Sequence, residues 1–235
     1  MARKHRASSR FRRRGGLLRS FVLILLVAAG LFYTGVAGTL LMLHWVNPPF
    51  TAVQIERRVS SWFDGEPYRK RYEFVPLNRI SPNLQHAVIA AEDARFYQHH
   101  GFDWNQIRDA IAEDVEEHRE RGASTITQQL VRNLFLSTNR SVIRKAVEFS
   151  IVPLAEGILS KRRILELYLN VIEWGRGIFG AEAAARAYFG IPAQNLTRLQ
   201  AAQLASVLPS PLRRKPGRVT AYVRRILSRM DQMNW

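Results

Sequence analysis

The feature that most constrains the fold of this chain is a segment of 23 uncharged residues, 21–43, near its amino end. At about 1.5 Å of rise per residue, a helix of this length crosses a hydrocarbon core of about 30 Å. The segment is longer than the apolar core of about 7–15 residues found in a cleaved signal peptide. We therefore expect an uncleaved transmembrane signal-anchor helix, with the remaining chain folded outside the bilayer.

The segment before this helix, residues 1–20, carries eight Lys or Arg residues and no acidic residue. Positive flanks of a membrane helix stay in the cytoplasm, so we expect residues 44–235 to face outward. A basic arm of this density could bind nucleic acid, but no recognised DNA- or RNA-binding module follows it. Anionic lipid headgroups are the nearer partner. The sequence therefore predicts a cytoplasmic tail, a membrane helix and one outer domain, with no nucleic-acid partner.

The outer domain has helical rather than strand-like periodicity, and we expect it to be all-α. Ser81 and Pro82 are typical of a helix start, Gly190 of a helix end, and Pro153 of a kink or a division. No apolar alternation persists long enough to predict a sheet, although residues 50–80 could hold a short hairpin. The predicted helices lie near 82–97, 104–119, 125–136, 141–168, 180–189, 196–207 and 218–233.

The chain contains no cysteine. This absence excludes disulfides, thiolate metal sites and a cysteine nucleophile. The absence leaves the compartment open, because a chain without thiols is compatible with oxidising and reducing surroundings.

The densest group of chemistry-bearing residues runs from Glu92 to Gly101. Glu92 continues an apolar stripe spaced four residues apart, formed by Leu84, Val88 and Phe96, so its carboxylate should face inward. Loss of solvent raises the pKa of a carboxyl group toward the range useful for proton transfer. Glu92 is therefore a candidate general base. The alternative is a structural glutamate paired with a nearby arginine.

A second group, residues 122–133, combines a helix start with a polar helix face. Thr125 and Gln128 have the spacing of a capping box. Amides and hydroxyls both donate and accept hydrogen bonds, which suits them to sugar hydroxyls, whereas the alternative is a solvated surface. The polar face carries Thr125, Gln128, Gln129, Arg132 and Asn133.

A third group places Arg144 and Lys145 one helical turn before Glu148. These residues form either a basic patch for a phosphate or pyrophosphate, or an ordinary helical ion pair worth roughly 0.3–0.5 kcal/mol. A fourth group, residues 160–180, has three glycines in six residues beside a tryptophan, which predicts a tightly packed turn. We interpret it mainly as architecture, with Lys161 as a candidate further cation.

Taken in order, these motifs resemble glycosyltransferase family 51, the module also found in class A penicillin-binding proteins. The resemblance covers about residues 45–211. Arg132 stands where the family usually has lysine, and Gln200 where a glutamate is often seen. The Ser-x-x-Lys and Lys-Thr-Gly motifs of serine acyl transfer are absent, so the chain resembles a monofunctional member. The patterns are Glu92-Asp93-x-x-Phe96-x-x-His99-x-Gly101, Gly122 through Leu130 with Asn133, Arg144-Lys145-x-x-Glu148, and Lys161 through Asn170.

The resemblance implies a lysozyme-like helical lobe with a small, flexible, membrane-proximal jaw. It implies polymerisation of lipid II, a disaccharide-pentapeptide on undecaprenyl pyrophosphate, into β-1,4-linked glycan strands by one inverting displacement. Glu92 and Glu148 are then the catalytic candidates. The residues expected to bind the donor pyrophosphate are Arg132, Arg144, Lys145 and Lys161. The residues expected to organise the site or to contact sugar are Asp93, Phe96, His99, Gly122, Ser124, Thr125, Gln128, Gln129 and Asn133.

The resemblance leaves two roles open for Glu148, which either orients the neighbouring cations or holds a divalent cation, magnesium or manganese, at the pyrophosphate. It implies the bacterial inner membrane as location, with the outer domain in the periplasm. The growing glycan strand is an expected partner, and division or elongation proteins are candidates. Two rival functions are a lysozyme-like hydrolase of the same glycan and a non-catalytic membrane scaffold of the cell wall machinery.

Overall fold

The computed structural model describes the backbone of residues 3–65, 67–108, 124–139 and 141–235, with side chains from residue 19 onward. Of the helix predicted at 104–119, residues 104–108 are helical and the remainder lies outside the described residues. Gly122 of the second motif also lies outside them.

The described elements confirm the mainly helical fold class. The helices are α1 (Arg3–Leu43), α2 (Ala52–Asp64), α3 (Pro82–Glu92), α4 (described at 104–108), α5 (Ile126–Phe135), α6 (Val142–Ile158), α7 (Lys161–Val171), α8 (Ala181–Phe189), α9 (Arg198–Ala205) and α10 (Ala221–Gln232). Single 3₁₀ turns occur at Leu77–Arg79 and Ala193–Asn195.

Hydroxyl side chains define most helix starts. At α3, Ser81 Oγ accepts the backbone N–H of Asn83, and Pro82 occupies the first turn, where its missing N–H costs no helical bond. Gly190 ends α8 in the left-handed conformation, with φ of 70°, as the sequence predicts. Equivalent hydroxyl caps are Thr51, Thr125, Ser141, Ser160, Thr197 and Thr220.

Two predicted helix boundaries are wrong. The helix predicted to reach residue 97 ends at Glu92, because Asp93 leaves the helical region and its side chain bonds elsewhere. The helix predicted at 141–168 is divided at Leu159, and Pro153 lies inside α6 without dividing it. Leu159 has an extended backbone, and Ser160 caps α7 by accepting the N–H of Arg163.

A small sheet is present that the sequence did not predict. It has the order β1–β3–β2, in which β1 (Arg71–Tyr72) runs parallel to β3 (Ile178–Phe179), and β2 (Glu173–Gly175) runs antiparallel to it. The hairpin therefore lies within 173–179 rather than within 50–80. It belongs to the predicted glycine-rich turn, whose close packing is confirmed: a Cβ at Gly175 would lie 2.2 Å from the Tyr188 hydroxyl.

The core of the outer domain is built around two central helices. The end of α3 packs against α9 and α10, whereas α5 packs against α6, α7 and α2. Tyr168 and Trp174 are fully buried between these layers, and so is Phe96 in the turn after α3. The carboxyl end of α3 and the amino-terminal half of α5 thereby meet inside the domain, and the motif residues lie at that junction.

The last quarter of α1 is part of this core. Residues Arg19–Leu43 form the one described helix that is long and apolar enough to cross a membrane. Most of this stretch is exposed, but Leu40 is buried within the core cluster of the outer domain. Tyr33 Oη lies 2.6 Å from Ser150 Oγ of α6, and Arg163 Nε donates to Leu43 O at 2.8 Å. The carboxyl-terminal part of α1 therefore packs against α6 and the start of α7.

Candidate active site

The Glu92 carboxylate lies at the junction of α3, α5 and α7. Its Oε2 accepts a hydrogen bond of 2.8 Å from Gln129 Nε2, one turn into α5. The alternative predicted from sequence, a glutamate paired with an arginine, does not apply, because no salt bridge reaches Glu92 from the described residues. Arg132 is near enough for its charge to act on the carboxylate without an ion pair.

The amide of Gln129 is fixed by its own neighbours. Tyr168 on α7 donates its hydroxyl hydrogen to Gln129 Oε1 at 3.0 Å, and Tyr168 is completely buried. This bond occupies the amide oxygen and leaves the amide nitrogen facing Glu92. Gln129 therefore presents a donor to the carboxylate and cannot rotate its amide without losing the bond from Tyr168.

Burial dominates the acidity of Glu92. It raises the pKa of the Glu92 carboxyl above its ordinary value, and the negative charge of Asp93 acts in the same direction. The hydrogen bond from Gln129 and the positive charges of Arg132 and Arg214 oppose this rise. The negative charge of Glu92 in turn helps to raise the pKa of Tyr168, which burial already elevates. The carboxylate is thus a stronger proton acceptor than a solvated glutamate.

Asp93 joins the end of α3 to the start of α5. Its Oδ2 accepts the backbone N–H of Ile126 at 3.0 Å, and its Oδ1 lies 2.8 Å from His99 Nε2. His99 Nδ1 accepts the N–H of Gly101, so Nε2 carries the hydrogen that is donated to Asp93. These bonds fix the position of Glu92, the preceding residue, relative to Gln129.

The loop after α3 closes onto α5 and α6. Thr125 Oγ1 donates to Gly101 O at 2.7 Å, and the predicted capping box of Thr125 and Gln128 is confirmed. Gly101 has φ of 89°, and a Cβ there would lie 2.4 Å from Val152, so only glycine fits. Thr125 and Gln128 are buried and use their polar atoms internally, which favours an organising role over sugar contact.

The third motif forms a compact group on the first turns of α6. Glu148 is 2% exposed and pairs with both cations: Oε2 lies 2.6 Å from Arg144 Nη1, and Oε1 lies 2.5 Å from Lys145 Nζ. Lys145 Nζ also reaches Ser124 Oγ at 3.5 Å, beside the start of α5. Lys145 remains over one-third exposed. The group therefore presents two oriented cations next to the second motif.

Comparison with the sequences of known proteins assigns this chain to a family. The sequence model of the family described as Transglycosylase matches residues 57–233, about three-quarters of the chain. The chain belongs to the transglycosylase family.

Relatives in several pseudomonads support the assignment. The chain is 50% identical over 192 residues to a biosynthetic peptidoglycan transglycosylase of Pseudomonas entomophila, covering 82% of this chain and 81% of the relative. It is 46% identical over 194 residues to the protein of the same name in Pseudomonas aeruginosa, covering 83% and 84%. A third such protein, from Ectopseudomonas mendocina, is 48% identical over 197 residues, covering 83% and 81%.

The residues of this transglycosylase around Glu148 do not fit a divalent cation. Magnesium and manganese take several oxygen ligands in this kind of site. Both carboxylate oxygens of Glu148 are engaged by cations, and an added metal ion would meet Arg144 and Lys145 at close range. Of the two roles that the sequence left open for Glu148, the geometry favours orientation of the neighbouring cations.

Asp93, His99 and Asp103 form a second acidic group, and their polar atoms are also used in hydrogen bonds within the protein rather than being free to bind a metal ion. Asp103 accepts two hydrogen bonds of 2.8 Å from Arg95, while the oxygens of Asp93 bond to His99 and to the start of α5. These residues brace the loop after α3.

Lys161 has different neighbours from the other predicted cations. Its Nζ lies 2.9 Å from Glu156 Oε1 and 4.6 Å from the centre of the Phe96 ring. Glu156 also accepts a hydrogen bond from Thr127 of α5. The described contacts therefore tie Lys161 to the packing of α5, α6 and the loop after α3, rather than to Arg144 and Lys145.

Three contributors to the site were missed by the sequence analysis. Glu156 continues the inward stripe of Glu148 and Val152, so the spacing that identified Glu92 would also have found it. Arg214 and Tyr222 are also near Glu92, since the charge of Arg214 lowers the pKa of Glu92 and the charge of Glu92 raises that of Tyr222. No local pattern marks these two residues, because they come from the distant carboxyl-terminal part of the chain.

Proposed function

We propose that the chain is a peptidoglycan glycosyltransferase that polymerises lipid II into β-1,4-linked glycan strands. The observation that carries this proposal is the Glu92 carboxylate, which is partly buried, has a raised pKa and accepts a hydrogen bond from Gln129 near the charges of Arg132 and Arg214. The names of the relatives and the transglycosylase family point to the same chemistry.

In the proposed reaction, Glu92 accepts the proton of the acceptor's N-acetylglucosamine 4-hydroxyl. The acceptor oxygen forms a bond to the anomeric carbon of the donor's N-acetylmuramic acid as the bond from that carbon to the pyrophosphate breaks. The α linkage of the donor becomes a β linkage in the product, as a single displacement requires. A carboxylate that activates the nucleophile has the same role in inverting glycosidases.

The leaving group is undecaprenyl pyrophosphate, which departs as an anion and needs charge neutralisation rather than a proton. Arg144 and Lys145 supply it from α6, and Arg132 supplies it from α5 beside Glu92. Glu148 keeps the two α6 cations in place, since each carboxylate oxygen holds one of them. Asp93 and His99 act through the backbone of α5 rather than by touching the substrate.

The test uses detergent-purified full-length chain with labelled lipid II, whose products are resolved by size. We expect a ladder of glycan strands from the native chain and none from Glu92→Gln. The matched control is Glu73→Gln, because Glu73 is more than half exposed and its nearest cation lies 4.0 Å away. A polymer from Glu92→Gln would remove Glu92 as the base. Soluble muropeptides released from finished cell wall would instead indicate the hydrolase.

The proposed location is the bacterial inner membrane. In this topology α1 crosses the membrane once, the basic tail lies in the cytoplasm and the outer domain lies in the periplasm. The basic tail and the apolar part of α1 support this placement. Val142 and Ile143 at the start of α6 are strongly exposed apolar side chains, and α6 contacts α1 through Tyr33 and Ser150.

Orientation can be tested directly because the chain has no cysteine. We expect Ser228→Cys, on the exposed face of α10, to react with a membrane-impermeant maleimide in intact spheroplasts. Ser8→Cys in the tail should react only after lysis. Reversed labelling would reject the proposed topology.

A further inference from the structure

A cavity of about 410 Å³ lies on α2, next to the linker 44–50 that joins α1 to α2. Its walls are largely apolar and include Phe50, Ile55, Val59 and Trp62. The volume falls within the range of about 300–1,000 Å³ that is typical of small-molecule sites. The opposite side of α2 faces the domain, where Glu56 accepts the backbone N–H of Thr138 at 2.7 Å. The cavity is therefore separate from the Glu92 site.

The polar groups of this cavity are hydrogen-bond donors. Gln54 is 3% exposed, and its Nε2 has no partner among the described residues; the same is true of the Tyr68 hydroxyl. Lys70 Nζ donates to Gln54 Oε1 at 3.1 Å and to Pro49 O at 3.3 Å, which leaves one of its three hydrogens for a ligand. Arg58 completes the set, and none of the described residues lining the cavity is acidic. A buried donor without an acceptor is costly, so the cavity is suited to an acceptor-rich, anionic group.

The location restricts the source of such a ligand. The linker follows directly after the apolar helix, and Tyr72 donates its hydroxyl hydrogen to Pro48 O at 2.6 Å, which fixes the linker against β1. Trp45, Trp62 and Phe63 are all at least two-thirds exposed at this end of the molecule. Exposed aromatic side chains of this kind are enriched at the interface between a membrane and water.

We propose that this cavity binds an anionic membrane phospholipid. The acyl chain lies among the apolar walls on α2, and Arg58 and Lys70 bind the phosphate. Gln54 Nε2 donates to the phosphate or ester oxygens. A zwitterionic lipid is disfavoured because its ammonium group would face Arg58 and Lys70, and the described lining residues offer it no carboxylate.

The experiment titrates detergent-purified full-length chain with dioleoylphosphatidylglycerol or dioleoylphosphatidylcholine and counts retained lipids by native mass spectrometry. Lipid II is not needed, so the result does not depend on the proposed glycosyl transfer. We expect one phosphatidylglycerol per chain, bound at least about tenfold more tightly than phosphatidylcholine. Equal retention of the two lipids would overturn the proposal.

Matched variants distinguish lipid binding in the cavity from lipid binding by the basic tail, because the tail is the same in all of them. The double variant Arg58→Gln with Lys70→Gln should lose the roughly tenfold preference. Arg69→Gln should keep it, because Arg69 is exposed and does not line the cavity. Val59→Trp should fill the cavity and reduce retention of both lipids, with an unchanged melting temperature. An unchanged preference in the double variant would overturn the site.

A third titration uses undecaprenyl phosphate, which has a similar phosphate head but a polyprenyl chain. We expect it to leave bound phosphatidylglycerol in place at equal concentration. Complete displacement, one molecule for one, would overturn the assignment to phospholipid and identify a binding site for the substrate's tail.

Discussion

The pKa of Glu92 is set by opposing effects within one side chain's surroundings. Burial raises it, while the Gln129 amide and the Arg132 charge lower it. In the folded protein the carboxyl group therefore binds a proton more readily than in the unfolded chain. Below the ordinary pKa of about 4.5, Glu92 is protonated in both the folded and the unfolded chain, and it does not affect stability. Above the raised pKa, Glu92 is charged in both, and the cost of desolvating that charge in the folded protein lowers the free energy of unfolding.

Removal of this charge should stabilise the protein at neutral pH. We expect Glu92→Gln to have a melting temperature equal to or above that of the native chain at pH 7.5, with the difference vanishing near pH 4. A gain of about 1 kcal/mol corresponds to roughly 2–4 °C for a domain of this size. Differential scanning fluorimetry across this pH range measures the effect. A clear loss of stability at pH 7.5 would show that the surroundings of Glu92 stabilise its charge in the folded protein instead of destabilising it.

Tyr168 controls Glu92 through the orientation of Gln129. We expect Tyr168→Phe to free the Gln129 amide, weaken its bond to the carboxylate and raise the pKa of Glu92 further. Because Glu92, as the proposed base, acts only when it is deprotonated, the acidic limb of the pH–rate profile should move to higher pH, with activity recovering toward alkaline pH. Initial polymerisation rates from pH 5 to 9 measure the shift.

Tyr188→Phe is the matched control for that experiment. Its hydroxyl donates to Trp174 O at 3.0 Å in the glycine-rich hairpin and has no contact with Gln129. Its acidic limb should stay in place. If Tyr168→Phe instead lowered the rate equally at every pH, Tyr168 would support the fold without setting the acidity of Glu92.

At the scale of single elements, α6 and α7 carry lysines with contrasting surroundings. Lys145 is more than one-third exposed, so its pair with Glu148 adds little stability and leaves the ammonium group available. We expect Lys145→Gln to weaken inhibition by undecaprenyl pyrophosphate by about tenfold or more, with little change in melting temperature. Inhibition constants from the polymerisation assay measure this loss.

Lys161→Gln provides the comparison, since the sequence placed both lysines in the donor site. The Glu156 side chain is 6% exposed and would be left without its cation. Because this pair is partly buried, its loss should lower the melting temperature while inhibition changes less. Weaker inhibition with an unchanged melting temperature would support the sequence-based prediction that Lys161 binds the pyrophosphate.

The sequence predicts those elements and residues whose signals are local. Glu92 is identified by its spacing in one helix, and the capping box by two residues three apart. The bond from Tyr168 to Gln129 joins residues 39 positions apart, and no periodicity encodes such a partner. The two-residue strands β1 and β3 are too short for alternation, and more than 100 residues separate them. These features depend on tertiary packing, which a single sequence does not display.

At the scale of the whole molecule, the docking of α1 joins the apolar helix to the outer domain. Apolar side chains satisfy lipid and protein surroundings equally well, so the sequence predicted the helix but not this contact. The structure separates two neighbouring residues by environment: Leu40 is fully buried, whereas Leu41 is 50% exposed.

This pair gives a direct test of the docking. Leu40→Ala should leave a cavity between α1 and the domain and cost about 2–5 kcal/mol, lowering the melting temperature of the full chain in detergent. Leu41→Ala removes the same atoms from an exposed position and should change it little. Equal melting temperatures for the two variants would show that α1 is not docked in solution.

A docked α1 has a consequence for how such proteins can be recombined. A helix that only held the protein in the bilayer could be exchanged for any apolar sequence of the same length. Here a replacement helix must also reproduce Tyr33, which contacts Ser150, and the buried side chains of Val36, Leu40 and Leu43. The apolar helix and the domain are therefore one packed unit, and a chimera with a foreign helix would leave the domain incompletely packed.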